Sequence, residues 1–268
     1  MKHRIELISS FEEWLNDKGK TENTIKTYIN VITKLSLWLE DNKKNLTNLC
    51  REDIQNYMDE LKLQGKTAST VDKVFASIRV FSQYRNMPQI VENIKRIQKE
   101  KNIYQTAPDC LDKDEQEHLL YEVENDKDLR NIAIVNMLLY TGIRISELCN
   151  LDFEDVEIYG QKGTVTVKGD KARKIPIPKD AVFHLQHYMS TCTEQSRPFF
   201  VSKQNKRLTI RTVQYMLEKY NTNPHKLRHT FCQDLIKKGL DLSIVAQLAG
   251  YNDLNMVKRY KHRCTTIA

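Results

Sequence analysis

Two arginines, a histidine and two tyrosines in the second half of the chain have the types and spacing needed to bind a phosphodiester, offset its growing charge and attack it. They are Arg144, the run His225-Lys226-Leu227-Arg228, the pair Gly250-Tyr251, and Tyr260 within Val257-Lys258-Arg259-Tyr260-Lys261-His262. An arginine presents a planar, permanently charged fork that matches two phosphate oxygens. His225 lies three residues before Arg228 and so shares a helical face with it. A tyrosine hydroxyl ionises near pH 10 and becomes a nucleophile only where neighbours favour the anion or accept its proton. Tyr260 has Lys258, Arg259 and Lys261 beside it.

Four segments carry these residues in a fixed order: Thr141 to Leu148, Val167 to Pro176, His225 to Phe231, and Leu248 through Tyr260. Together they resemble the tyrosine recombinase (phage integrase) family of site-specific DNA strand-exchange enzymes. The resemblance implies that Arg144 and Arg228 hold the two non-bridging oxygens and neutralise charge in the pentavalent transition state. It makes Tyr260 the nucleophile, leaving a 3′-phosphotyrosyl link and a free 5′ hydroxyl. That ester stores the bond energy, so rejoining needs no ATP. It also implies a lysine on a β-hairpin as the acid that protonates the departing 5′ oxygen. The register points to Lys168, with Lys171 as the alternative. His225 either donates to the phosphate or helps handle the Tyr260 proton, and His229 is expected to point elsewhere in a structural role. Glu147 either orients Arg144 or is an ordinary exposed helix glutamate. Two guanidinium clamps do the work of a metal ion elsewhere, so no metal or other cofactor is expected.

Two features depart from the family pattern. Tyr251 stands where histidine or tryptophan is usual; a phenol can still donate a hydrogen bond to phosphate but cannot carry positive charge. Only eight residues follow Tyr260, which puts in doubt the docking of a long C-terminal segment on a neighbouring protomer.

Charge follows the same division. The 268-residue chain has a net charge of +7. Residues 201–268 hold 13 Lys and Arg against 4 Asp and Glu, whereas residues 107–200 hold 11 against 17. Basic charge is thus concentrated around His225, Arg228 and Tyr260, as a polyanion partner requires. The six cysteines, Cys50, Cys110, Cys149, Cys192, Cys232 and Cys264, show no metal-ligand or disulfide spacing. The N-terminus lacks the apolar run of a signal peptide, and no stretch has the length of a membrane span. These features point to a cytoplasmic protein.

The elements that must position the site follow from periodicity. Ile25, Tyr28, Ile29, Ile32, Leu35 and Leu39 form one helical stripe; Ile54, Tyr57, Met58 and Leu61 a second, closed by Gly65; Val71, Val74, Phe75, Ile78 and Phe81 a third. Lys20, Lys26, Lys62, Lys66 and Lys73 lie on the opposite faces. From Asn86 to Asp112 the pattern decays into a basic linker. Helices are expected again from Asp112, from Leu129 to Tyr140 and from Ile145 to Leu151. Thr164 to Val167 and Lys174 to Ile177 read as a hairpin around Gly169-Asp170, with Pro176 and Pro178 confining the second strand to an edge. Further helices follow from Ala181, Thr209, His225, Ser243 and Leu254. The expected fold is mainly α, with an N-terminal helical core-binding (SAM-like) domain and a C-terminal α-rich catalytic domain bearing a small antiparallel β-sheet. The domain bounds are 1–86 for the DNA-clamp module, 87–106 for the linker and 107–268 for the catalytic domain.

The implied partners are double-stranded DNA with inverted half-sites and further copies of the chain, as a tetramer on two sites, with accessory DNA-bending or directionality proteins. A mobile element such as a transposon fits the Lys- and Asn-rich composition. Two other readings share the motif. A type IB-like topoisomerase would relax supercoils on DNA without a target site, and a non-catalytic DNA-binding regulator would form no covalent adduct.

Overall fold

Two apolar cores form along the chain, one drawing only on residues before 98 and the other only on residues after 109. The chain divides accordingly into two units, Met1–Ile103 and Tyr104–Ala268. The computed structural model describes residues 2–97, 108–169, 171–192 and 197–260. The later part of the basic linker, Ala107, Asp170 of the expected hairpin turn and the segment after Tyr260 lie outside the described residues.

The first unit is built from α1 (Lys2–Asp17), α2 (Glu22–Asp41), α3 (Arg51–Leu63) and α4 (Ala68–Tyr84). Thr21 and Thr67 cap α2 and α4 by accepting the amides of Thr24 and Thr70, a contribution of about 1 kcal/mol each. The stripes read from sequence face inward: Ile32, Leu35, Leu39, Ile54 and Ile78 are fully buried. α1 was not among the expected helices. Its Leu7, Ile8, Phe11, Trp14 and Leu15 recur at helical spacing behind a charged start. Phe11 packs edge-on against Phe81 with ring centroids 5.1 Å apart. Lys20, Lys26, Lys62, Lys66 and Lys73 are all exposed.

The first part of the segment after α4, expected as a basic linker, is anchored on the first unit. Pro88–Val91 forms a 3₁₀ turn that buries Ile90. Arg51 Nε donates to Glu92 O at 2.9 Å, Lys95 N donates to Gln55 Oε1 at 2.8 Å, and Arg96 pairs with Asp72 at 2.8 Å. Residues 88–97 therefore pack on the first unit, because Ile90, Ile94 and Ile97 give this basic stretch apolar anchors.

In the second unit α5 (Lys113–Asn125) and α6 (Leu129–Thr141) are followed by the short α7 (Ile145–Asn150). Asp112 caps α5 in a reciprocal pairing with Glu115. Three antiparallel strands come next, β1 (Val156–Tyr159), β2 (Lys162–Val167) and β3 (Arg173–Ile177), in that order across the sheet. β1, only four residues long, was not expected from the sequence. Val165 pairs with Ile175 and Thr164 with Pro176, so the proline-bearing strand is an edge, where a missing amide is tolerated. The unit closes with α8 (Lys179–Met189), α9 (Ile210–Glu218), α10 (Pro224–Lys237), α11 (Leu242–Ala249) and α12 (Leu254–Lys258). Among the described residues no helix is long and apolar enough to cross a membrane.

α6 ends in Gly142 at φ +58°, a left-handed residue. A Cβ there would fall 2.2 Å from Phe231 Cδ1, so only glycine allows α6 and α10 to close on each other. The turn sets Arg144 at the mouth of α7 and brings the Gly142 carbonyl to Arg228.

Candidate active site

The site is organised by the C-terminus of α11. The last carbonyls of any helix have no partner inside it and carry the negative end of its dipole. Here the first two are closed by backbone: Tyr251 N donates to Ala246 O at 2.9 Å and Gly250 N to Gln247 O at 3.1 Å, with Gly250 left-handed at φ +66°. The next three each take an arginine. Arg173 Nε donates to Leu248 O at 2.6 Å, Arg228 Nη2 donates to Ala249 O, and Arg144 Nη2 donates to Gly250 O at 2.6 Å. A Cβ on Gly250 would lie 3.0 Å from Arg173 Cζ and 3.2 Å from Arg144 Nη1. The glycine both makes the turn and leaves room for the forks.

Glu147 joins two of these arginines. Its Oε1 accepts from Arg144 Nη1 at 2.8 Å and its Oε2 from Arg144 N at 2.7 Å, while Arg173 Nη2 donates to Oε2 at 2.8 Å. Burial alone would raise this carboxyl, but the Arg173 hydrogen bond, the Arg144 amide and the two positive charges hold it at about 2. Of the two readings left open by the sequence, the geometry fits the one in which Glu147 orients Arg144.

Arg228 is 5 % exposed. Its Nη1 donates to Gly142 O at 2.5 Å, its Nε to the Tyr251 hydroxyl at 3.4 Å, and its Cζ lies 4.6 Å from the centroid of the Tyr251 ring. The Tyr251 and Tyr260 hydroxyls are 3.4 Å apart. Tyr260 is 1 % exposed. Burial, with the nearby Cys232 and Tyr251, pushes its phenol far above the usual value.

The fold thus brings Arg144, Arg228, Tyr251 and Tyr260 into one connected cluster. It leaves Lys168 outside that cluster: the ammonium lies 2.6 Å from Glu154 Oε1 and 2.7 Å from Asp155 Oδ1, and these hydrogen bonds raise its pKa. Lys168 and Glu147 line one cavity of about 270 Å³; Lys171 lines another of about 360 Å³ with Arg173, Gly250 and Tyr251. His225 sits exposed in the first turn of α10. Among the described residues, no three His, Cys, Asp or Glu side chains converge as a metal site would need.

Two residues at the site were not foreseen. His229, expected to point elsewhere, has its Nδ1 2.5 Å from the Tyr260 hydroxyl. The physical reason is helical geometry: His229 follows His225 by four residues and so shares its face. Arg173 was read only as part of a motif. It alternates with Ile175 and Ile177, which are buried, so strand periodicity already turned its 6 %-exposed side chain inward.

The comparisons agree with this architecture. Residues 109–266 match the phage integrase family, and residues 8–86 match the phage integrase N-terminal SAM-like domain. The chain is 29 % identical to the tyrosine recombinase XerA of Pyrococcus furiosus, over 96 % of this chain and 89 % of that one. It is also 29 % identical to the tyrosine recombinase XerD of Oceanobacillus iheyensis, over 95 % of this chain and 93 % of that one. In fold it is similar to the Tn1549 transposon integrase, solved in complex with a circular intermediate DNA. The TM-score is 0.72 at 17 % identity, covering 95 % of this chain and 94 % of that one. The chain belongs to the phage integrase family and is an enzyme of the tyrosine recombinase type.

Proposed function

We propose that this family member cleaves and rejoins double-stranded DNA at specific sites through a 3′-phosphotyrosyl intermediate on Tyr260. Arg144 and Arg228 grip the non-bridging oxygens of the scissile phosphate with the N–H groups that the α11 carbonyls leave unused. The Tyr260 oxygen attacks phosphorus, the bond from phosphorus to the 5′ oxygen breaks, and the phenol proton passes to a neighbouring base. Tyr251 donates to a phosphate oxygen, and His225, at the exposed start of α10, does the same. Lys168 supplies the proton that the 5′ oxygen needs, for which it must first leave Glu154 and Asp155. Attack by the free 5′ hydroxyl of another strand reverses the step and reseals the DNA.

The observation that carries this reading is the Tyr251 hydroxyl, which is 3.4 Å from Arg228 Nε and 3.4 Å from the Tyr260 hydroxyl. It ties the phosphate-binding group to the nucleophile. The division of labour we propose is a DNA-clamp module over 1–86, a basic strap over 87–106 and a catalytic domain over 107–268. Strand exchange on two sites with inverted half-sites calls for four protomers, helped by accessory DNA-bending or directionality proteins. The work is done where the DNA is, in the bacterial cytoplasm, on a mobile element. The test is covalent trapping on a nicked duplex that spans half-sites located by footprinting the DNA beside the gene. Wild type forms a protein–DNA adduct and Tyr260→Phe forms none; an adduct surviving in Tyr260→Phe defeats the assignment.

A further inference from the structure

We propose that His229, rather than His225, is the base that takes the Tyr260 proton during strand cleavage, which rests on the reading of Tyr260 as the nucleophile. The direction of the hydrogen bonds supports this. A guanidinium can only donate, so Arg228 Nε fixes the Tyr251 oxygen as its acceptor. In the DNA-free site this leaves the Tyr251 O–H able to donate to the Tyr260 oxygen, and the Tyr260 O–H able to donate to His229 Nδ1. The chain starts in a group that never accepts and ends in an imidazole nitrogen that accepts when the ring proton is on Nε2.

The other neighbours cannot take this part. The Cys232 thiol is within hydrogen-bonding reach of Tyr260, but burial pushes it up to about 11, and a protonated thiol is no base. Tyr251 already accepts from Arg228. His225 is exposed, and its ring centroid is 6.4 Å from that of His229, one turn back along the same face. It is placed to pass the proton on to solvent.

The surroundings keep the His229 ring unprotonated in the free site. Burial and the charges of His225, Arg259 and Arg228 lower its pKa to about 4, against a smaller opposing effect of Asp109. The ring is therefore neutral at pH 7, with its proton on Nε2 if Nδ1 accepts. Because burial disfavours the Tyr260 phenolate, attack needs an acceptor already in contact with the hydroxyl. The step balances: the phenol proton goes to His229 as the Tyr260–phosphorus bond forms, and the 5′ oxygen leaves with a separate proton.

The first measurement is ¹⁵N NMR of the imidazoles in the full chain at pH 7. His229 is expected as the neutral Nε2–H tautomer, and a protonated Nδ1 overturns the proposal. The second is single-turnover adduct formation on the nicked duplex. His229→Gln keeps an acceptor but cannot take a proton, so it should slow cleavage by roughly 10²–10⁴-fold. A duplex with a 5′-bridging phosphorothiolate, whose sulfur leaves without a proton, should not restore that rate, and added imidazole should restore part of it in His229→Ala. Cleavage by His229→Gln within threefold of wild type, or full rescue by the sulfur leaving group, overturns the inference. Both outcomes leave the Tyr260→Phe result, and hence the nucleophile, untouched.

Discussion

The two units bury polar side chains in different ways. In the first, Ser36, Ser77 and Ser82 donate to carbonyls three or four residues back in their own helices, and buried Asp53 finds Lys44 and Cys50 close in sequence. In the second, Arg228 reaches Gly142 across 86 residues, Arg144 reaches Gly250 across 106, and Thr230 Oγ1 accepts Leu111 N across 119. The first unit satisfies its fully buried polar side chains locally, while long-range polar bonds such as Arg51 to Glu92 lie at its exposed surface. The second adds a long-range polar frame, and such a frame fixes distances between side chains that apolar packing alone would leave loose. Chemistry that needs several groups aimed at one atom belongs in the second kind of unit.

That contrast can be broken most directly at Arg228. Replacing it with lysine keeps one charge but cannot serve Gly142 O, Ala249 O and Tyr251 together, so adduct formation should fall by about 10²–10³-fold. A rate within tenfold of wild type would mean that the frame is dispensable. Next in size is a pair of glycines. Gly142→Ala meets Phe231 at a left-handed turn and should cost roughly 2–5 kcal/mol. Gly65→Ala in the first unit has the same backbone hand, φ +69°, but nothing within 4 Å, and should cost about 1–2 kcal/mol. Calorimetry on both variants tests the ranking, and equal losses would contradict it.

The remaining effect is the acid response. The folded pKa of Glu147, about 2, lies below its usual value, so the stability it contributes is full above pH 4.5 and is lost as pH falls towards 2, on the order of 3 kcal/mol. His229 is also depressed, to about 4. The unfolded chain therefore binds that proton first, and stability declines as pH drops from 6.5 towards 4. The groups facing His229 are His225 and Arg228 on its own helix, Arg259 and Tyr260 after α12, and Asp109 before α5. The second unit should thus weaken in two steps on acidification. Glu147→Gln should remove the lower step and His229→Gln the upper one, as read by circular dichroism melts across pH.

Much of this was legible from the residues. Apolar periodicity located α2, α3 and α4, and alternation around Gly169 located β2 and β3 with Pro176 on an edge. The spacing of Arg144, Arg228, Gly250 and Tyr260 picked out side chains that the fold gathers at one helix end. What escaped notice depended on tertiary partners. α1 hides its stripe behind a charged start, and β1 is too short to show a period. The packing of residues 88–97 depends on a surface that other helices supply. Arg173 and His229 carried usable signals in the period of a strand and of a helix. What they touch became apparent only once α11 and α12 were in place. Sequence spacing also could not show that Lys168 rests between Glu154 and Asp155, because that ion pair joins the hairpin to a separate 3₁₀ turn.

At the end of α11 the acceptors that aim the three arginines are main-chain oxygens. No exchange of side chains at Leu248, Ala249 or Gly250 deletes them; only a change in the path of the chain can. The aiming of the forks is therefore insulated from drift in the identity of residues 248 and 249 and exposed to any alteration of the turn at 250. An engineer seeking to retune this enzyme is free to vary the helix sequence there, but must keep its end where it is.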